Sequence, residues 1–424
     1  MMLNVITSPG QQLGQVAVSR DGKLCPSCYK SVVPLLKHYV HAWLCYRHIL
    51  LGTISVSYVQ IATSLCPRDS QTSSRDYESQ LTSAPTRPLF LETFSGAMTV
   101  GEGLIKTRIF VISDTHGLRL RYEHQADVVI HCGDLTNESE LREYRNLIKD
   151  LSSVKAPLKL VVPGNHDFTL DIPRFKRRAV EVQHGNPEVK KKYTEKYGNP
   201  GDARGLFEEA RDAGIVLLEE GTYVFKLANG ARLKVYASPH TPAAGGFPGF
   251  QYQPEDRHDF AIEKGTDIAV THGPALGMLD HTKVNPKAGS PELFDAIARA
   301  RPRLHCCGHI HESWGAKMVA WSENPAEEST STSENGLRES AVIANLRDFK
   351  ILPTDSKEET ARKRQFVKQS SLARCCEISL CQDHRHPLEF KSRTLFVNAA
   401  IQGAPGEAAL HYPWMIDIDL PKAC

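Results

Sequence analysis

Five short blocks contain the residue types from which a hydrolytic metal centre can be built. They are Asp114-Thr-His116, Gly133-Asp134, Gly164-Asn165-His166-Asp167, Thr271-His272-Gly273 and Gly308-His309-Ile310-His311. Asp, Asn and His offer oxygen and nitrogen donors without thiolate, a set suited to Mn, Fe, Zn or similar divalent ions. Two ions held about 3.5–4 Å apart, as in phosphatases, need one bridging ligand and several terminal ones. A carboxylate can bridge, and Asp134 on its tight Gly-Asp turn is the natural candidate. Taken singly, each histidine is more often a satisfied structural residue than a ligand. The ordered set of five has no comparable bland explanation.

Each block directly follows a run that reads as a strand. RIFVIS (108–113), ADVVIH (126–131) and LKLVVP (158–163) are short and β-branched, and each ends in a turn. Between the last two, Leu141, Tyr144, Leu147, Ile148 and Leu151 fall at helical spacing, with Asn137 or Ser139 as the expected cap. Further strands are expected at GIVLLEEG, DIAVTHG, RLHCCGHIH and GAKMVAW, and YVFKLANGARLKVYAS alternates around an Asn-Gly turn as a hairpin should. Helices are expected at 204–213, 255–263 and 291–299. Crossover units mixed with hairpins predict two packed mixed sheets flanked by helices, an α/β fold. Ligands in open α/β sheets bind beyond the carboxyl ends of strands, so blocks about 200 positions apart can share one cleft.

In this order, D-x-H, GD, GNHD, H-G and GHIH resemble the calcineurin-like metallophosphoesterase superfamily. VISDTHG, HCGDLT, PGNHD, YASPHTP, VTHGP and GHIHESWG are most similar to its MPPED-like metallophosphoesterase-domain branch. The resemblance covers 107–321 plus 394–419 and implies an α/β/β/α sandwich that hydrolyses phosphoesters. It implies that Asp114, His116 and His311 hold one metal, that Asp134 bridges, and that Asn165, His272 and His309 hold the other. His166 is then catalytic, beside the substrate phosphate, with Asp167 holding its other ring nitrogen. Two divalent ions (Mn2+, Fe2+/Fe3+, Zn2+ or Mg2+) would make hydroxide from a bridging water near neutral pH, so no protein nucleophile is required. The implied substrate is a small phosphodiester or phosphomonoester, including a cyclic nucleotide. A phosphoprotein phosphatase and a catalytically weak scaffold of the same fold are the alternatives.

The remaining sequence bounds the function. Among 424 residues, 51 Lys+Arg against 49 Asp+Glu give a net charge of +2, so no global field marks a nucleic-acid binder. Eleven cysteines are far too few for a disulfide scaffold and suit a reducing compartment, taken here as cytoplasmic. Residues 1–98 read as an irregular extension and linker, 99–321 as the first part of the catalytic domain, 322–392 as a polar, disordered insertion, and 393–424 as closing strands. The uncharged run 49–65 is interrupted by Gly, Ser, Thr and Gln at the lower length limit for a spanning helix, so no firm membrane association is expected. Cys25-Pro-Ser-Cys28 is a lone pair that would need two further ligands to hold zinc. Cys306 and Cys307 read as packing residues and Lys190–Lys192 as a solvated face. Phe247, Phe250 and Tyr252 either stack on a ligand at the rim or pin their loop.

Overall fold

The computed structural model describes residues 2–8, 11–17, 103–183, 186–243, 249–322, 337–381, 392–404 and 410–423. Expectations for 49–65, Cys25, Cys28 and Phe247 fall outside these residues. The chain divides into two units, 1–84 and 85–424. In the first, strands β1 (Met2–Ser8) and β2 (Gln11–Ala17) pair antiparallel.

The second unit carries the strand-end blocks. Its order is β3 (Leu104–Ile112), β4 (Val128–His131), α1 (Leu141–Ser153), β5 (Leu158–Val161), α2 (Ile172–Gln183), α3 (Pro187–Tyr197), α4 (Asp202–Glu209) and β6 (Ile215–Leu217). There follow β7 (Gly221–Lys226), β8 (Arg232–Ser238), β9 (Thr241–Pro242), β10 (Gln251–Tyr252), β11 (Ile268–Thr271), α5 (Pro291–Ala300) and β12 (Leu304–Cys307). The last elements are β13 (Gly315–Trp321), β14 (Leu337–Asn345), α6 (Lys357–Ala373), β15 (Cys376–Ser379), β16 (Arg393–Asn398) and β17 (Trp414–Pro421). One sheet runs β14-β13-β16-β12-β11-β8-β7 and the other β15-β17-β3-β4-β5-β6. The strands before the five blocks pair in parallel, β3-β4-β5 in one sheet and β11-β12 in the other. Their carboxyl ends therefore open to one side.

Side-chain alternation sets the layers. Along β3, Ile109 and Val111 face the core between the sheets, where they join Val235, Val270, Leu304 and Val397. Phe110 and Ile112 face the other way, onto α1 and α4 through Tyr144, Leu147 and Phe207. Behind the second sheet, Tyr236 and Phe396 pack on α5 through Leu293 and Ile297. This period-2 split makes helix–sheet–sheet–helix layers, as the sequence predicts.

Three local expectations are corrected. The cap of α1 is Glu140, in a reciprocal capping box with Glu143, rather than Asn137 or Ser139. Residues 255–263 form no helix: Arg257 takes a left-handed φ of 53° and the segment lies over the sheet through buried Phe260. Within 322–392, residues 337–381 are folded rather than disordered. Strand β14 extends one sheet from β13 and β15 extends the other from β17. Helix α6 is capped by Ser356 and held by the buried Lys363–Asp355 ion pair at 2.8 Å. Its charged sequence hides these ties, because the strands that anchor it lie elsewhere in the chain.

Candidate metal centre

Backbone hydrogen bonds stitch the five blocks together before any side chain is considered. Asp114 N–H donates to Gly133 O (2.9 Å), His116 N–H to Asp134 O (3.0 Å) and Gly308 N–H to His272 O (2.9 Å). His309 N–H donates to both Asp114 carboxylate oxygens at 3.0 Å, and His166 N–H to Asp134 Oδ1 at 2.8 Å. Asp114, His116, Asp134 and His309 all hold left-handed φ values, between 44° and 68°. For residues other than glycine this costs on the order of 1–3 kcal/mol each and persists only where the surroundings impose it. Gly308 is required: a Cβ there would overlap the Asp114 carboxylate and the Ser113 side chain.

The donor atoms converge in two groups, one of which contains Asp134. His311 Nε2 lies 3.3 Å from Asp114 Oδ1 and 3.3 Å from His116 Nε2. On the other side, His272 Nε2 lies 3.0 Å from Asn165 Oδ1 and 3.3 Å from Asp134 Oδ1. The second oxygen of Asp134, Oδ2, faces His116 Nε2 at 3.6 Å. Asp114/His116/His311 and Asp134/His272/His309 are each close enough to surround one ion, and His166 also lies within reach of His116 and Asp134. All seven residues expected as metal ligands are thus brought together.

A profile of the calcineurin-like phosphoesterase family matches residues 107–313. Over these residues, just under half of the chain, it is similar to that family. Over 221 residues it is 31% identical to metallophosphoesterase domain-containing protein 1 of Homo sapiens, a match covering 49% of this chain and 62% of the relative. Over 215 residues it is 31% identical to probable rhamnogalacturonate lyase C of Emericella nidulans, covering 50% of this chain and 18% of the relative. The chain spans less than two thirds of either relative's length.

In the matched region, two ring orientations are set by backbone carbonyls. His272 Nδ1 faces Cys132 O at 2.9 Å and His311 Nδ1 faces Gly403 O at 3.0 Å. A carbonyl can only accept, so each Nδ1 carries the proton and each Nε2 points at the centre. This is the arrangement that a metal-ligating histidine requires, and the donor set fits divalent ions. The charges divide within each group. Burial disfavours protonation of His272 and His311, but Asp134 and Asp114 respectively outweigh it, pushing both up to about 9. Burial prevails at His116 and His309, pushing both down to about 4. Burial would also raise Asp114 and Asp134, yet the facing histidines hold both carboxyls well below the usual range.

His166 and Asp167 part company. His166 stands edge-on to His116 with ring centroids 4.6 Å apart, and its Nδ1 faces Asn137 O at 2.8 Å. That carbonyl, not Asp167, holds the ring. Asp167 is buried and accepts from Gly164 N–H (2.7 Å), Leu135 N–H (3.0 Å), Thr136 N–H (3.0 Å) and Thr136 Oγ1–H (2.7 Å). It locks the Asp134 turn to the Asn165 turn and is a positioning residue. A buried carboxylate beside backbone N–H groups takes several donors at once, and the sequence did not distinguish that use from orienting the neighbouring ring.

Other groups were not foreseen. Asn398, at the end of β16, donates to Ile310 O at 2.9 Å and accepts from Ala400 N–H at 3.1 Å, so it shapes the His309–His311 loop. Asn137 and Gly403 act through backbone carbonyls, which side-chain identity does not reveal. Phe250 is buried, and Tyr252 donates to Ser290 Oγ at 3.0 Å, so both pin their loop. Cys306 and Cys307 are buried free thiols, and Lys190–Lys192 are exposed. Among the described residues, no helix is long and apolar enough to cross a membrane.

Proposed function

We propose that the domain is a dinuclear, divalent-metal-dependent phosphoesterase acting on a small phosphodiester or phosphomonoester. The observation that carries this reading is Asp134, whose two oxygens face histidines of different donor groups, Oδ1 toward His272 and Oδ2 toward His116. Asp114, His116 and His311 would hold one ion, Asn165, His272 and His309 the other, with Asp134 between them. Ions held there supply Lewis acidity to phosphoryl oxygens and lower the pKa of water. Mn2+ is the ion of choice for the first assays.

The chain's own contribution centres on His166. Burial works against its proton, but the Asp134 charge and the Asn137 carbonyl raise its pKa above the ordinary value. A charged imidazole beside the donor groups attracts phosphoryl oxygens and can pass a proton from Nε2 to a departing alkoxide. The Asn137 carbonyl keeps Nδ1 protonated, so Nε2 is the atom that gives and regains the proton. Asp167 keeps the two turns that carry Asp134 and Asn165 in register.

A phosphoprotein substrate is less well supported. Arg119, a cation adjoining the first block, is engaged in a bidentate pair with Asp150 at 2.7 and 2.9 Å. A scaffold without turnover would not need seven converging donors. Screening the manganese-loaded full chain against aryl mono- and diesters, cyclic nucleotides and phosphopeptides tests the reading. Turnover of aryl or cyclic diesters is expected; preference for phosphopeptides would replace it with the phosphatase alternative.

A further inference from the structure

Outside the phosphoesterase blocks, Glu220, His240 and His258 bring three ligand atoms within 4.8 Å of one another. They come from three places: the residue before β7, the two-residue link between β8 and β9, and the loop after β10. The antiparallel register of β7 and β8 pairs Gly221 with Ala237, which sets Glu220 across from the end of β8. His240 Nδ1 lies 3.2 Å from Glu220 Oε2, and His258 Nε2 lies 2.8 Å from Glu220 Oε1.

Two further features prepare this group. Tyr236 Oη donates to Glu220 Oε1 at 2.7 Å, orienting the carboxylate from behind. The rings are held in a stack, with His240–His258 centroids 4.4 Å apart and His258–Tyr252 5.2 Å apart. Phe260 packs edge-on against His258 at 4.6 Å. The stack fixes the planes of the two imidazole rings beside Glu220. The side chains remain 19–30% exposed, so an ion can enter and water can complete its shell.

The geometry points to a third metal site, a two-histidine–one-carboxylate site for Zn2+ or a similar divalent transition ion, at Glu220, His240 and His258. Zinc takes His at about 2.0–2.1 Å and carboxylate at about 2.0–2.2 Å, which in a tetrahedron separates neighbouring donors by roughly 3.4 Å. The separations of 2.8 and 3.2 Å here need only small outward adjustment. The 3.2 Å separation lies within the 3.0–3.6 Å between donors of the candidate metal centre, and the 2.8 Å one just below it. An ion at this site would staple the rim segment that begins at Gly249, whose N–H donates to Asn165 O at 2.8 Å. It would brace the centre's border without touching reacting atoms.

The test is zinc binding by the chelator-stripped full chain, counted after dialysis against Zn2+ alone. His258→Phe keeps the stacked ring and removes the ligand; Glu220→Gln keeps the shape and removes the charge. Each is expected to bind about one zinc fewer than the parent, since each loses one of only three protein ligands. Tyr236→Phe is expected to weaken this zinc by about 10–100-fold, the usual effect of losing an orienting partner. The same one-ion difference is expected in an Asp134→Ala background. It persists there even if the dinuclear reading is wrong, so the two claims fail separately. Anomalous scattering from zinc-soaked crystals of the parent provides a check that needs no variant: a peak is expected among Glu220, His240 and His258. Equal zinc content in parent and both variants, or no peak there, overturns the third site.

Discussion

The two histidine–carboxylate regions of this molecule are built on opposite plans. In the candidate metal centre, most donors sit on left-handed or glycine-flanked turns at strand ends. Backbone carbonyls of Cys132 and Gly403 aim the rings of His272 and His311. At the rim, Glu220, His240 and His258 are aimed by side chains, through a ring stack and the Tyr236 hydroxyl. Side chains swing by rotamer changes; backbone turns tied to one another by hydrogen bonds at the strand ends do not. The first region is therefore preorganised for chemistry, and the second is suited to a removable brace.

Breaking the shared carboxylate should have the largest effect. Asp134→Ala unlinks both donor groups, and turnover should fall by more than the ~10²–10⁴ that loss of a single proton-transfer group costs. Metal analysis should show reduced loading, whereas retention of both ions would refute the bridging assignment. His166→Ala should lower turnover by about 10²–10⁴ with metal content unchanged. The loss should be smaller for a nitrophenyl ester than for an alkyl ester, because the former leaves without a proton. Equal losses on both esters would limit His166 to charge stabilisation.

Backbone preorganisation can be probed at Gly308. Gly308→Ala drives a methyl group into Asp114 and should destabilise the fold by about 1–3 kcal/mol, as overpacking does, while weakening metal binding. Thermal unfolding beside a metal titration checks both; wild-type values for each would show that the loop has slack. At the rim, Glu220→Gln should change turnover by no more than about threefold, the scale of ±0.5 kcal/mol seen away from working parts. A hundredfold loss would make the rim part of the catalytic machinery and collapse the distinction between the regions.

Acidity offers a further contrast within the centre. His272 and His311 are raised to about 9, above the ordinary value near 6.5. For chelator-treated protein, their stabilising contribution is complete below about pH 6.5 and is lost as pH rises through about 9. Ions compete with these protons, so loading at pH 7.5 should release about two protons per chain, and apparent affinity should climb toward pH 9. Proton release measured in two buffers of different ionisation heat decides this, and release near zero would mean that both rings are already neutral.

How far the sequence could be read follows the same division. Asp114, Asp134, Asn165, His272 and His309 lie in blocks of two to four residues at strand ends, where neighbours in sequence are neighbours in the site. The layered fold was legible for the same reason, since strand alternation and helical spacing are local. What was hidden depends on distant pairing. Residues 337–381 fold because β14 and β15 add to strands elsewhere in the chain, and polar composition conceals that. Asp167 is adjacent to His166, yet its partners are Leu135 and Thr136 as well as Gly164. Glu220, His240 and His258 share no motif, and their meeting depends on the β7–β8 register and the path of the 255–263 segment.

The central claim is that one buried carboxylate joins two ion-binding groups into a hydrolytic centre. The most direct test titrates chelator-treated full chain with Mn2+, counting bound ions and turnover of bis(p-nitrophenyl) phosphate in the same samples. The account predicts no turnover in chelator and activity that tracks filling of the second equivalent, with Asp134→Ala inactive throughout. Turnover that survives chelation, or that is complete with a single bound ion, would contradict it.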